Sequence, residues 1–481
     1  MKPNHVGLID HSMTVNGLAF PASGTFGVIN PATGKFFDHA PALAPDQLDS
    51  VFAFAAEAFE QWKRVDRFRC ERLSAAADAI ESATEELALL LTAEQGKPLD
   101  QARNEVTWSC DWMRYFANLE IPREVLRDDS GGYEEICRRP MGVVAAIAPW
   151  NFPLLLAMWK IAPALRAGNT VVLKPSPYTP LSTLGLGRVL RGVLPDGVLN
   201  VVSGPDPLGA LMVEHIVPRK VSFTGSTETG KRVAASAAKD LKRLTLELGG
   251  NDPAIVLSDA PLQETATGLF AEAFANNGQT CHAIKRIYAH ESIADELVER
   301  LAVLARNARV DDGMAEGAEL GPINNLAQFE RVKGLVDDAV RRGGRVLAGG
   351  TPLDRAGYFY PPTIVDCVTD DMPVVAEEQF GPVIPVLTFR DEDEAVLRAN
   401  NSPYGLTASV WSADLESAYR LAARLDCGQV SVNAHSGGLR MDLPFGGRKW
   451  SGIGVENGIW GYHGFTEPQV IVGPGRGAAT I

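Results

Sequence analysis

No stretch of the chain approaches the ~20 consecutive apolar residues a membrane helix needs, so a spanning segment is not expected. A basic run is also missing. Asp and Glu outnumber Lys and Arg by 59 to 45, for a net charge of −14. Nucleic-acid binding rests on neutralising phosphates with Lys and Arg, so neither a nucleic acid nor an anionic membrane surface is an expected partner. The acidic surplus mainly serves solubility. Cysteine is sparse and scattered over Cys70, Cys110, Cys137, Cys281, Cys367 and Cys427, with no CxxC pair and no metal-ligand spacing. That argues against a disulfide framework and gives no metal site. Each cysteine then reads as a small buried hydrophobe unless its surroundings say otherwise. Internal repeats and low-complexity tracts are absent. Met1 to Phe20 has no charged segment followed by an apolar stretch, so no signal peptide is expected and the cytoplasm is the expected location.

What is present is ordinary globular material. The 481 residues are 46% hydrophobic and 22% charged, enough for roughly two or three domains. Residues 45–101 read as helices, rich in Ala, Leu and Glu, with Leu73, Ala76, Ile80 and Ala83 at helical spacing. Lys97-Pro98 reads as a break, with a further helix over 105–118. From Gly142 the texture changes to short Val- and Ile-rich runs between helical segments. Strands are predicted over 143–148, 170–173, 198–202, 220–223, 245–248 and 254–257, with helices over 155–167 and 182–193. Apolar strands without polar alternation suit a parallel sheet covered on both faces, and the βα rhythm predicts a doubly wound α/β domain. A second α/β segment follows Leu248-Gly249-Gly250 to about residue 440, with helices over 294–306 and 328–342 and strands over 345–348 and 383–389. The tail from Pro444 to Gly475 reads as loops plus one short strand over 469–472.

Several positions carry possible chemistry. Strand 220–223 runs into Gly225-Ser226-Thr227-Glu228-Thr229-Gly230 and a helix near Lys231. Free N–H groups and the helix dipole make an anion site there, although glycines at such a junction are more often a plain turn. Lys174-Pro175-Ser176-Pro177 follows another strand, at the carboxyl edge where such sheets bind ligands. A lone lysine is more commonly a surface residue. Asn276-Asn277-Gly278-Gln279-Thr280-Cys281 sets a cysteine after a Gly- and Asn-rich turn. Exposed N–H groups there favour a thiolate and an oxyanion site. His282 follows directly. Adjacent side chains usually point apart, so it reads as a pocket wall and not as a base for Cys281. Glu247, between Leu246 and Leu248 at a strand end, is a candidate general base with a salt-bridged structural role about as common. Asn151, within Pro149-Trp150-Asn151-Phe152-Pro153, offers either a rigid oxyanion donor or a turn residue.

Together and in this order these motifs resemble the aldehyde dehydrogenase superfamily, NAD(P)-dependent and hydrolytic in type. The matching segments are PWNFP (Pro149 to Pro153), KPS (Lys174 to Ser176), FTGSTETG (Phe223 to Gly230), LELGG (Leu246 to Gly250), NNGQTC (Asn276 to Cys281), EEQFGP (Glu377 to Pro382) and PFGG (Pro444 to Gly447). The resemblance implies that Cys281 attacks the aldehyde carbon and that the Asn151 amide and the Cys281 N–H hold the oxyanion. It implies that Glu247 activates the water that hydrolyses the resulting thioester, splitting one hard step into two easier ones. Lys160 and Glu456 match positions associated with a proton relay.

For the cofactor, NAD or NADP, the resemblance implicates Ile147, Ala148, Pro149, Trp150, Lys174, Ser176, Pro177, Gly204, Gly209, Phe223, Gly225, Ser226, Thr229, Leu248, Gly249, Glu378 and Phe380. Pro177 stands where many NAD-preferring members carry a ribose-binding Glu, which leaves NADP open. NAD is favoured because no extra basic residue lies nearby. The substrate funnel would comprise Trp108, Phe152, Leu156, Trp159, Thr280, His282, Leu439 and Phe445. This largely apolar lining, with no arginine placed by the motifs, implies an uncharged apolar or aromatic aldehyde. The implied architecture is a Rossmann-like cofactor domain (1–127 and 141–248), an α/β catalytic domain (249–440) and a small β oligomerisation arm (128–140 and 466–481). That arm would build a homodimer or homotetramer. A CoA-acylating dehydrogenase, a cofactor-independent thiol esterase and a non-catalytic protein on the same fold are the competing readings. Glu247 favours water as the acyl acceptor.

Overall fold

Four helices open the mixed α/β part of the chain: Leu48–Trp62, Asp66–Ser82, Thr84–Gln95 and Leu99–Ala117. The computed structural model describes residues 10–435 and 440–475. Gly96, at φ 99°, closes the third helix, and Pro98 precedes the fourth in an extended conformation. The fourth helix therefore starts at Leu99, a turn and a half earlier than its apolar pattern predicts, because its first turn carries polar residues. Ahead of these helices stand four short strands that the sequence pattern does not announce. Met13–Val15 is held by pairing with Leu199–Val201 through Thr14 and Val201, a contact no local pattern encodes.

The first sheet runs in the order Leu18–Phe20, Met13–Val15, Leu199–Val201, Thr170–Lys174, Val143–Ile147, Lys220–Thr224, Arg243–Glu247, Gly452–Ile453. Its five central strands are parallel. They are almost wholly buried, as their unbroken apolar runs predict. Strand order reverses between Val143–Ile147 and Lys220–Thr224. In a doubly wound sheet the ligand crevice opens at such a point, beyond the carboxyl ends of the strands.

Leu248-Gly249-Gly250-Asn251 carries the chain from Arg243–Glu247 into Asp252–Val256, a central strand of the second sheet. That sheet runs Arg345–Ala348, Thr363–Asp366, Val383–Phe389, Ile284–His290, Asp252–Val256, Thr407–Trp411, Gln429–Val432, parallel except for its first pair. Ile255 packs toward Val332, Leu335 and Val336 on one face, while Ala254 and Val256 pack with Leu269, Leu297 and Leu301 on the other. This is the two-residue period of a strand buried on both sides.

A third sheet is antiparallel: Thr466–Gly473, Gly132–Pro140, Glu124–Asp129. Its last strand is twice as long as the four residues predicted, because it pairs along its whole length with Gly132–Pro140. The tail also folds a short helix, Gly458–His463, where loops are predicted. Helix Leu181–Val189 stops short of residue 193, with Gly192 in the left-handed region soon after. Among the described residues no helix is long and apolar enough to cross a membrane.

Candidate active site

The turn before Cys281 is built from three successive left-handed residues: Asn276 (φ 50°), Asn277 (φ 56°) and Gly278 (φ 73°). Asn tolerates this conformation better than other side chains. Here its amide groups also hold the turn. Asn276 Nδ2 donates to the Asn151 carbonyl at 3.0 Å and Asn277 Nδ2 to the Gly321 carbonyl at 2.8 Å. A Cβ on Gly278 would lie 2.3 Å from the Gly381 carbonyl oxygen, so space as well as φ demands glycine. The turn leaves Cys281 half-buried beside the seam between the two large sheets.

Two expectations change here. His282 Nδ1 lies 3.6 Å from Cys281 Sγ, so the adjacent side chains do not point apart. Both belong to a turn, where the alternation of a strand does not apply. Burial, reinforced by Lys285, pushes the imidazole down to about 3. It is neutral, stands against the thiol as a wall group, and is too weak a base to draw the proton. The second change concerns the thiol itself. Turn N–H groups alone favour a thiolate, but burial pushes the Cys281 thiol up to about 12. Lys285 opposes that shift, while Glu247, Asp252 and Glu378 add to it.

Asn151 is buried against this turn, and its Nδ2 donates to the Gln279 carbonyl at 3.0 Å. Its own carbonyl accepts from Lys97 Nζ at 2.9 Å. Lys97 is paired with Glu105, both fully buried, and Glu105 accepts from the Leu154 and Leu155 N–H groups at the start of helix Pro153–Ala167. The Lys97 ammonium also lies 3.8 Å above the Phe152 ring. The local sequence pattern marks Lys97-Pro98 only as a break. The signal for more was polar Glu105, Ser109 and Trp112 recurring on one face of Leu99–Ala117, the buried face.

Glu247 ends strand Arg243–Glu247, buried, with neither carboxyl oxygen hydrogen-bonded among the described residues. Burial and the nearby Glu456 raise its pKa well above the carboxylate range, and Lys160 pulls it back. Lys160 Nζ donates to Glu456 Oε1 at 3.0 Å and to Thr224 Oγ1 at 2.6 Å, and Ser222 Oγ donates to the same Glu456 oxygen at 3.3 Å. Lys160 and Glu456, far apart in the chain, are thus a fully buried ion pair acting electrostatically on Glu247. Behind it lies Lys220, pushed down to about 7 by burial, which sequence reading did not single out.

The predicted cofactor residues gather along the crevice. Ile147, Ala148, Pro149 and Trp150 leave the strand beside Lys174, whose carbonyl accepts from the Ala148 N–H. Gly209 comes close to both Ile147 and Lys174, with Cδ atoms 3.7 and 3.9 Å from where its Cβ would be. Gly204 makes the tight approach to Leu208 just before it. The buried Lys174 ammonium makes one hydrogen bond among the described residues, to the Pro175 carbonyl at 3.2 Å. Burial pushes its ammonium down to about 8 and the Asp206 carboxylate opposes this. Ser176 accepts from the Tyr178 N–H, with Pro177 between them.

Ser226 caps helix Thr227–Ala237 by accepting from the Thr229 N–H, and remains exposed. A Cβ on Gly225 would strike the Phe223 ring, and one on Gly230 would strike Leu248. On the facing side, Glu378 accepts from the Gly250 N–H at 3.1 Å and stands over Gly249, where a Cβ would meet its carboxylate at 2.2 Å. Phe380, left-handed at φ 53°, packs edge-on to Trp150 with ring centroids 5.2 Å apart. A helix N-terminus, a lysine with spare donor hydrogens and glycines where side chains would intrude suit a dinucleotide.

On the substrate side an aromatic row leads toward the thiol. Trp112 stacks on Trp159 at 5.7 Å, Trp159 meets Phe445 edge-on at 5.2 Å, and Phe445 meets His282 at 6.0 Å. Leu156 and Thr280 are buried and Phe152 half-buried. Trp108 does not join the row. It is 42% exposed, because the turn of the helix directs Trp112 inward, where its Nε1 donates to Asn457 Oδ1. Leu439 lies outside the described residues. Arg440 is held by both oxygens of Asp442, at 2.9 and 2.5 Å.

The family model of the aldehyde dehydrogenases matches residues 20–471. The phenylacetaldehyde dehydrogenase of Pseudomonas fluorescens is 39% identical over 485 residues, covering 96% of each chain. An aldehyde dehydrogenase of Bacillus cereus, solved as its NAD+ complex, superposes with a TM-score of 0.93 at 37% identity over 96% of each chain. An NADP-dependent enzyme of E. coli does so with a TM-score of 0.93 at 33% identity, over 96% of this chain and 98% of that one. Matched over nearly its whole length in sequence and in fold, with a cysteine turn, a buried carboxyl and a nucleotide crevice at one seam, the chain belongs to the aldehyde dehydrogenase family.

Proposed function

We propose that the chain oxidises an uncharged apolar or aromatic aldehyde to the carboxylic acid, with NAD(P)+ as oxidant and water as acyl acceptor. The observation that carries this reading is Glu247, a buried carboxyl without a hydrogen-bond partner that acts electrostatically on Cys281. Cys281 adds to the aldehyde carbon as its thiolate. One Asn151 amide hydrogen is committed to the Gln279 carbonyl. The second is free for the oxyanion, alongside the Cys281 N–H. Lys174, Ser176, the Gly225–Ser226 turn and Glu378 would hold NAD or NADP along the crevice, where it would supply the acceptor for the hydride lost by the aldehyde carbon. The acyl group then remains on Cys281 as a thioester. Glu247 takes a proton from water to hydrolyse it, and Lys160 with Glu456 tunes that carboxyl from behind.

The aromatic row supports an apolar or aromatic substrate, and the Asp442 pairing leaves Arg440 unsuited to grip a second carboxylate. Asp206 beside Lys174 supports NAD over NADP, since a carboxylate there opposes an added 2′-phosphate. The first sheet with its helices is the cofactor-binding unit in this reading, the second the catalytic unit, and the third an arm for a homodimer or homotetramer.

Absorbance of reduced nicotinamide, measured with an aldehyde panel, each cofactor and the Cys281→Ala variant, tests the proposal. Phenylacetaldehyde and hexanal should reduce NAD without CoA, and Cys281→Ala should not. Higher kcat/KM for a dicarboxylic semialdehyde or a cationic aldehyde would overturn the substrate class. A strict need for CoA would overturn hydrolysis.

A further inference from the structure

We propose that Lys285 is the positioning residue of the nucleophile: its ammonium clamps the Cys281 turn through backbone carbonyls and is the cation that stabilises the Cys281 thiolate. This rests on the reading of Cys281 as nucleophile. Lys285 is the second residue of strand Ile284–His290, four residues after Cys281, and is almost wholly buried. Its Nζ donates to the carbonyls of Thr280 (3.1 Å), Cys281 (2.5 Å) and Ala283 (3.3 Å). An ammonium has three donor hydrogens and no acceptor, so these carbonyls use all of them. A neutral donor would serve for capping alone. Burying a charge for that purpose is costly unless the charge has a partner, and the cation is kept here by carboxyls it shares with the thiol: it pairs with Glu378 at 3.8 Å and acts on Asp252.

The groups around the thiol explain the need for a cation. Glu247 faces it from the first sheet, Asp252 from the neighbouring strand and Glu378 from the loop before strand Val383–Phe389. Asp252 is close. A Cβ on Gly250 would lie 2.5 Å from Asp252 Oδ1 and 2.9 Å from the Cys281 carbonyl oxygen. Thr407 Oγ1 donates to Asp252 Oδ2 at 2.6 Å, and Oδ1 has no partner among the described residues. His282 and the buried His435 are neutral, each pushed down to about 3 by burial. Lys285 is the cation that acts on Cys281 against these three carboxyls. Without it, ionising the thiol would put a further negative charge into a buried acidic pocket.

The test is the pH dependence of Cys281 alkylation by iodoacetamide, read by mass on the Cys281 peptide without nicotinamide or aldehyde. The variants are Lys285→Gln, which keeps an amide donor without charge, Lys285→Arg, which keeps charge, and Asp252→Asn. The midpoint should rise by at least ~1 pH unit in Lys285→Gln, about tenfold less thiolate at a given pH. It should stay near wild type in Lys285→Arg and fall in Asp252→Asn. A Lys285→Gln midpoint that coincides with wild type, whatever happens to the limiting rate at high pH, would reduce Lys285 to a backbone cap and overturn the proposal. Should Lys285→Gln fail to fold by thermal melting, Asp252→Asn decides, and an unmoved midpoint there overturns it. Failure of the underlying reading would be separate: Cys281→Ala would retain aldehyde oxidation.

Discussion

A carboxyl with neither oxygen hydrogen-bonded is costly to bury, and Glu247 is held in that state at the end of a strand. Replacing it with Gln keeps shape and removes the base. Glu247→Gln should therefore retain a first-turnover burst of reduced nicotinamide in rapid-mixing absorbance, while steady turnover falls by about 10²–10⁴-fold. Loss of the burst as well would move Glu247 to an earlier step. The pH dependence has a definite sign. Burial and Glu456 raise the Glu247 pKa, and hydrolysis uses the ionised form. The rate should fall as pH drops through that raised value. Lys160→Met removes the cation that holds it down, so the acid limb of kcat should move to higher pH. At the crevice, Asp206 faces Lys174. Asp206→Asn should raise kcat/KM for NADP relative to NAD by about tenfold, or about 1.4 kcal/mol. An unchanged ratio in paired kinetics would discard Asp206 as a discriminator.

Among the elements, the cysteine turn is the most tightly specified. Its glycine and asparagines were readable as a turn, because those residue types adopt left-handed conformations at little cost. The side-chain bonds that brace it were not readable. Asn277 reaches Gly321 and Asn276 reaches Asn151, and no spacing rule connects those segments. Gly278→Ala should lower stability by about 1–2 kcal/mol from the left-handed φ, and further through the clash with Gly381. Thermal melting would check this, together with loss of aldehyde oxidation. Helix boundaries show the same division. Gly96 and Pro98 mark a break, yet the helix after them begins at Leu99, since tertiary burial of Ala102 and Glu105 adds a first turn that apolar periodicity leaves out.

For the whole molecule, the third sheet leaves apolar residues in water: Leu126, Val470 and Val472 are 67%, 63% and 71% exposed. Among the described residues both outer strands of that sheet have a free edge, a template for pairing with another chain. If the arm joins subunits, Val470→Asp should shift the light-scattering mass toward a smaller species without lowering the melting temperature of the protomer core. An unchanged mass would place the subunit contact elsewhere. The long connection from Gly132–Pro140 to Thr466–Gly473 also explains why the tail looked like loop. An edge strand of mixed Pro, Gln and Val has weak local signal and takes its structure from its partner.

The sequence by itself determined the parallel character of the two large sheets, because strands buried on both faces must be apolar throughout. It also determined the motif order from Pro149 to Gly447 and the turn that presents Cys281, because glycine and asparagine adopt that backbone at the lowest cost. Tertiary structure decided what those residues meet. It paired Lys160 with Glu456 and Lys97 with Glu105, turned Trp112 inward instead of Trp108, brought His282 onto the thiol and set that thiol among Lys285 and three carboxyls. The reason is electrostatic as well as geometric. A side chain's charge and reach are written in its residue type, but the burial and neighbours that shift its proton affinity arise only when distant segments pack.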